Sequence, residues 1–210
     1  MEFSPNSTLA YVVGVALGDG NLSRPNGRAT RLRITCDARY PDITAEIIQK
    51  LQEIFPKNKV SIAKRNVPTH YDISVYSNNL DILMPWKVNH GSKNSQGVRV
   101  PMWIRGEREF VKACLKGLIQ TDGCIYTDRG YKMINFSSAN RGLAEDVRDM
   151  LSYLNFKASF HATKLSGENQ FKFNVRIAKN SKELISELDL YKSLIHCANI
   201  FSFLILVSLK

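Results

Sequence analysis

Two aspartates stand in matching surroundings about half a chain apart. Residues 12–20 read VVGVALGDG and residues 115–123 read LKGLIQTDG. Asp19 and Asp122 each close a segment with an apolar first position, Gly third, apolar fourth and fifth, and Asp-Gly at the end. One Asp-Gly after an apolar run is a common turn. A repeat is different, because a fold built on it brings the two carboxylates together. Adjacent carboxylates repel unless a cation lies between them. A hard divalent cation with oxygen ligands suits that position, Mg²⁺ in particular. Such ions activate water and stabilise the leaving oxygen when a phosphodiester is cleaved.

The segments that carry these aspartates must be helices that touch. Glycine inside a helix costs about 1 kcal/mol relative to alanine, yet Gly14 and Gly18 lie four apart on one helical face. Missing side chains there let a second helix approach backbone to backbone. The second copy offers Gly117 and Thr121 at the matching positions. The two helices are therefore expected to pack on each other about a pseudo-twofold axis, with Gly20 and Gly123 ending them.

The repeat continues past the aspartates. Short alternating stretches around Pro25-Asn26-Gly27 and Asp128-Arg129-Gly130 read as hairpins. Helices follow at 41–55 (Ile43, Ile47, Leu51, Ile54) and 140–154 (Leu143, Val147, Met150, Leu151, Leu154). Two more strands and a short helix, Asn79–Met84 or Ser181–Leu188, complete each half. The fold class predicted is α/β (α+β), a tandem repeat of α-β-β-α-β-β-α halves with antiparallel sheets. The halves span 1–90 and 107–210, and a segment rich in Gly, Ser, Asn and Lys at 91–106 joins them.

The 29 Lys+Arg outnumber the 19 Asp+Glu, for a net charge of +10 and a pI near 9.5, which points to a polyanionic partner. The four cysteines include no CxxC pair, which argues against zinc; Cys114 and Cys124 read as small core residues. Met1 to Thr8 is polar and unlike a signal peptide, so a reducing intracellular setting is expected. The apolar run Ile200 to Val207 is too short to span a bilayer and reads as a segment on the core or a hydrophobic tail.

Strand alternation nominates a nucleic-acid face. Arg31 and Arg33 alternate with Leu32 and Ile34, and Arg24 and Arg28 flank the preceding turn. Lys64, Arg65 and His70 sit near the next turn. In the second half the candidates are Tyr126, Lys132, Asn135, His161, Lys164, Lys172, Asn174 and Arg176. Arginine can read guanine and asparagine adenine, while others reach only phosphates. His70 and His161 lack a partner at ligand spacing and read as polar strand residues rather than metal ligands.

Over roughly residues 9–192 the sequence resembles the LAGLIDADG homing endonucleases, in their single-chain form with two motifs, here Val12 to Gly20 and Leu115 to Gly123. The resemblance implies that Asp19 and Asp122 are the metal-binding catalytic acids, helped by the backbone carbonyls of Gly18 and Thr121. It implies saddle-shaped sheets in the major groove of double-stranded DNA and cleavage with short 3′ overhangs. Mg²⁺ is the implied cofactor, with Mn²⁺ able to substitute and Ca²⁺ supporting binding without cleavage. A basic residue near the attacking water in each half is assigned by the same resemblance to Lys93 and Lys192. The sequence departs from the motif at Leu17 and Gln120, where the family name has Asp, and at Val13 and Lys116, of which Lys116 must point outward. Two motifs in one chain imply a monomer. The start MEFSPN, without a splicing block, reads as freestanding and intron-encoded, in a bacterial or archaeal cytoplasm or an organelle matrix. A maturase that assists intron splicing, or a DNA-binding regulator without cleavage, fits the same scaffold.

Overall fold

The computed structural model describes residues 4–64, 69–164 and 170–190. The N-terminal half runs α1 (Ser7–Asp19), β1 (Gly20–Ser23), β2 (Arg31–Asp37), α2 (Pro41–Ile54), β3 (Ser61–Lys64), β4 (His70–Tyr76) and α3 (Leu80–Leu83). A short helix, α4 (Met102–Arg105), leads into the second half. That half repeats the order as α5 (Arg108–Asp122), β5 (Gly123–Asp128), β6 (Tyr131–Ser138), α6 (Arg141–Tyr153), β7 (Ser159–Lys164), β8 (Phe171–Ile177) and α7 (Ser181–Glu187). Each half forms one four-stranded antiparallel sheet, ordered β1-β2-β4-β3 and β5-β6-β8-β7. The expected pseudo-twofold α/β repeat is what the chain adopts.

Local chemistry accounts for the ends of these elements. The Asn6 side chain accepts from the Leu9 N–H at 2.8 Å and caps α1. Asn140 does the same for α6 through Leu143. Pro41 opens α2, where its missing N–H costs nothing. Arg129 and Gly130 both have positive φ, as a two-residue hairpin joining β5 to β6 requires. The matching turn in the first half is looser. Pro25–Gly27 forms a 3₁₀ turn within a longer connection, because Pro25 fixes a negative φ where a tight hairpin wants a positive one.

Helix α1 is buried on every side from Leu9 to Leu17, since α5, α2 and the first sheet all pack on it. Helix α2 buries the stripe predicted from its periodicity, and α6 buries Leu143, Val147, Met150 and Leu151 of its predicted stripe together with Ala144 and Asp146.

Two expectations are corrected here. Lys116 does not point into solvent: its side chain is 13% exposed and bonds Glu46 of α2 at 2.7 Å and Asp189 at 3.2 Å. Burial opposes its charge, but Glu46 and Asp189 more than offset this and hold its pKa above the usual lysine value. Gln120 joins the same cluster. It accepts from the Tyr11 hydroxyl at 2.7 Å and donates to Glu46 at 3.1 Å. The two departures in the second motif thus converge on one carboxylate of the other half. Cys124, expected in the core, lies half-buried on β5, because strand alternation sets it opposite Asn135, on the face away from buried Ile125.

The joining segment is not slack. Val98, Val100 and Ile104 are buried, as is Trp86 just before it. Asp146, fully buried on α6, accepts from Arg99 at 2.7 and 2.8 Å, from Arg105 at 2.9 Å and from the Val100 N–H at 2.8 Å. Replacing it strands two guanidinium groups and a backbone donor. Asp146→Ala is expected to cost about 3–5 kcal/mol, read from urea unfolding; a loss under about 1 kcal/mol would show the cluster to be dispensable.

Candidate active site and nucleic-acid interface

Helices α1 and α5 meet backbone to backbone. A Cβ built on Gly117 would lie 2.6 Å from the Tyr11 carbonyl oxygen and 2.7 Å from the Val15 nitrogen. One on Gly14 would fall on the carbonyl of Cys114, and one on Gly18 on the Thr121 hydroxyl. The glycines predicted to pack helices do so. Thr121 turns its hydroxyl back onto the Gly117 and Leu118 carbonyls at 2.9 and 3.1 Å. Gly20 and Gly123 leave their helices in extended conformation with negative φ. Glycine is required there for space rather than for a left-handed cap: added Cβ atoms would strike the carbonyls of Ala16 and Ile119.

This contact brings the motif ends together. A Cβ on Gly18 would sit 3.4 Å from Asp122 Oδ2, so the second carboxylate lies against the end of the first helix. Asp19 is exposed and Asp122 half-buried, so both are open to a ligand. Lys93 enters from the joining segment. Its ammonium donates to the carbonyls of Ala16 at 3.1 Å, Leu17 at 2.6 Å and Gly18. Burial pulls its pKa below the ordinary lysine value, while Asp122 and Asp19 oppose that shift. Lys192, the other basic candidate, lies outside the described residues, as does Arg65.

The donors present suit a hard divalent ion: two carboxylates and helix-end carbonyls, all oxygen. The Gly18 carbonyl already binds a cationic group, which marks it as a point of negative potential. Among the described residues no cluster of three or more His, Cys, Asp or Glu could hold a metal.

Asp19 also reaches Cys36. Burial first, and then the nearby Asp19 charge, push the Cys36 thiol up to about 12, and burial raises Cys114 as well. Thiolate is the reactive form. Iodoacetamide at pH 8 should therefore label Cys124 in the native protein and spare Cys36 and Cys114 until the chain is unfolded. Peptide mapping by mass spectrometry reads the order, and early labelling of Cys36 would contradict this burial.

The sheets sort the predicted interface residues by face. In β2, Leu32, Ile34 and Cys36 point to the core and Arg31 and Arg33 to the open face. Register places Asn21, Ser74 and His70 on that open face as well. In the second sheet, Tyr126, Asn135, His161, Lys172, Asn174 and Arg176 share the open face. Three candidates do not. Lys64 stands opposite Tyr71, Lys132 opposite Thr127, and Lys164 opposite Phe171, each in the parity of the core-facing row. Arg24 is committed to Asp81 at 2.5 Å and to Thr30, bracing the β1–β2 connection, whereas Arg28 is exposed in it.

The open faces differ in chemistry. The first carries two arginines, of which Arg31 bonds Ser23 at 3.1 Å. The second carries a chain of amides and hydroxyls, Asn135 to Ser137 to Asn174 at 2.9 and 2.6 Å. Its Arg176 is paired with Asp128 at 2.9 Å and lies over Tyr126. Among the described residues, the buried side-chain nitrogens and oxygens without a hydrogen-bond partner are Nε of Arg33 and Nε of Arg176, one on each open face. Sequence reading overlooked Asn21 and Ser74, which register alone places beside Arg33, and Asp128, whose pairing with Arg176 is a cross-strand contact.

Residues 109–188 match the family model of the LAGLIDADG-like domain. The chain carries a LAGLIDADG-like domain. The fold of the whole agrees. The crystal structure of I-DmoI in complex with DNA and Mn superposes with a TM-score of 0.62, at 21% identity over 90% of this chain and 98% of that one. The N-terminal LAGLIDADG domain of DUF199/WhiA superposes with a TM-score of 0.56, at 14% identity over 90% of this chain and 84% of that one. These likenesses establish the LAGLIDADG architecture. A DNA polymerase of Thermococcus sp. (strain GE8) is 28% identical over 145 residues, which is 67% of this chain but 8% of the polymerase. No helix among the described residues is long and apolar enough to cross a membrane.

Proposed function

We propose that this protein is a site-specific endonuclease that hydrolyses both strands of a long double-stranded DNA target. It depends on Mg²⁺, accepts Mn²⁺, binds without cutting in Ca²⁺ and leaves short 3′ overhangs. The observation that carries this reading is the convergence of Asp19 and Asp122, one from each half, at the ends of helices α1 and α5. Each helix leads directly into its own polar-faced sheet. The structurally similar homing endonuclease I-DmoI has been solved with DNA and with Mn, Ca or Mg, which supports the same class of substrate and cofactor here.

Asp19, Asp122 and the carbonyls of Gly18 and Thr121 would hold the metal, which supplies activation of water and charge neutralisation at the scissile phosphate. The rest falls to the chain itself. Arg31, Arg33, Arg176, Asn135 and Asn174 position the duplex and read base edges. Arg28 and Lys172 answer phosphate charge. Lys93 places a positive charge beside both carboxylates, where negative charge develops during cleavage. The pseudo-twofold presents one carboxylate to each strand, so a monomer suffices. An intracellular site of action goes with this substrate.

The test is incubation with a randomised duplex library in Mg²⁺ and in Ca²⁺, followed by sequencing of cut ends. Discrete cuts with 3′ overhangs in Mg²⁺ alone support the reading. Tight duplex binding without cuts makes the protein a regulator, and affinity confined to structured RNA makes it a maturase.

A further inference from the structure

Lys93 differs from an ordinary surface lysine in how it is delivered. The segment bearing it is fixed on both sides. The Gln96 side chain bonds the Lys87 N–H at 2.9 Å, the Lys87 carbonyl at 3.0 Å and the Gly91 carbonyl at 3.1 Å. Beyond it, Asn140 donates to the Val98 carbonyl at 2.7 Å and Asp146 accepts from Val100. Trp86 lies over the ammonium, 5.4 Å from ring centre to nitrogen. The ammonium itself rests on the last carbonyls of α1, the negative end of the helix dipole, where helix geometry leaves acceptors unpaired.

One of those carbonyls is Gly18, the same oxygen read above as a metal donor. An ammonium in hydrogen-bond contact and a divalent cation in its coordination shell cannot share that position without strong repulsion. We propose that Lys93 is an internal competitor for the divalent cation: without metal it holds the Gly18 carbonyl and offsets Asp19 and Asp122, and the incoming ion displaces it. The competition weakens metal binding to the protein alone and relaxes when a duplex phosphate adds negative charge. This inference rests on the metal-site reading of the preceding subsection.

Trp86 supplies the probe. Terbium bound at Gly18, Asp19 and Asp122 lies close enough to the indole for sensitised emission, and Trp86→Phe identifies that signal. Lys93→Met is expected to bind Tb³⁺ about tenfold or more tightly than the wild type, and equal or weaker binding overturns the inference. If Asp19→Asn fails to weaken Tb³⁺ binding, or if no protein binds it, the metal-site reading falls and takes the inference with it. If Asp19→Asn weakens binding while Lys93→Met matches wild type, only the inference falls. Should Lys93→Met not fold, the wild type answers by lysine acetylation with and without Ca²⁺. Lys93 is expected to react several-fold faster with Ca²⁺, and an unchanged rate overturns displacement.

Discussion

Asp19→Asn and, separately, Asp122→Asn are each expected to leave a folded protein that still binds its duplex while cleavage falls by about three orders of magnitude or more. The amide keeps the size and shape of the carboxylate, and neither side chain is a core residue. What disappears is the negative charge that would hold the divalent ion of the proposed site. Removing one of two neighbouring like charges relieves repulsion, so the thermal midpoint should hold or rise. Asp122 lies against Gly18 at the end of the opposite helix, beside Asp19, so either change is felt where the two halves meet. Conversion of supercoiled plasmid carrying the target to nicked and linear forms reads the outcome. Full linearisation by either variant would remove these aspartates from catalysis, whatever else the protein does.

The second large effect is on folding. Gly14→Val is expected to abolish the folded state, and Gly14→Ala to cost about 2–3 kcal/mol. In an isolated helix the alanine change would stabilise by about 1 kcal/mol, because glycine is the poorer helix former. The sign reverses because the space is taken. A Cβ at Gly14 falls on the Cys114 carbonyl, and backbone cannot rotate away as a side chain can. Gly117 is enclosed from the other side by the backbone of Tyr11 and Val15 and should behave alike. Gly106 is the control, since nothing lies within 4 Å of an added Cβ. Circular dichroism melts of the three alanine variants decide it: equal midpoints would mean that α1 and α5 are not in backbone contact.

Much of this architecture was legible in the residues because it is built on local periodicities. A helix repeats every 3.6 residues and a strand every two. Ile43, Ile47 and Leu51 therefore announced α2, and Lys172, Asn174 and Arg176 announced a polar face opposite Val175 and Ile177. The duplication of Gly and Asp-Gly at matching offsets announced the paired helices. The same rule exposes the misplacement of Lys132 and Lys164. Each shares parity with core-facing neighbours, Ile134 and Phe160, so strict alternation already assigned them to the other face.

What the chain alone did not reveal is which charges find each other. Lys116 reads as an outward lysine until α2 of the other half sets Glu46 beside it. Nothing local marks Asp146 as a buried charge, yet Arg99 and Arg105 fold over it. Lys93 is singled out by resemblance alone, and nothing local says that the joining segment carries it to the end of α1, more than 70 positions earlier. The type and spacing of residues determined the repeat, its helices and strands, and the two aspartates of the proposed site. Tertiary structure decided the partners of the buried charges. Secondary structure follows from contacts a few residues apart, whereas an ion pair depends on where whole elements dock, and no local period encodes that.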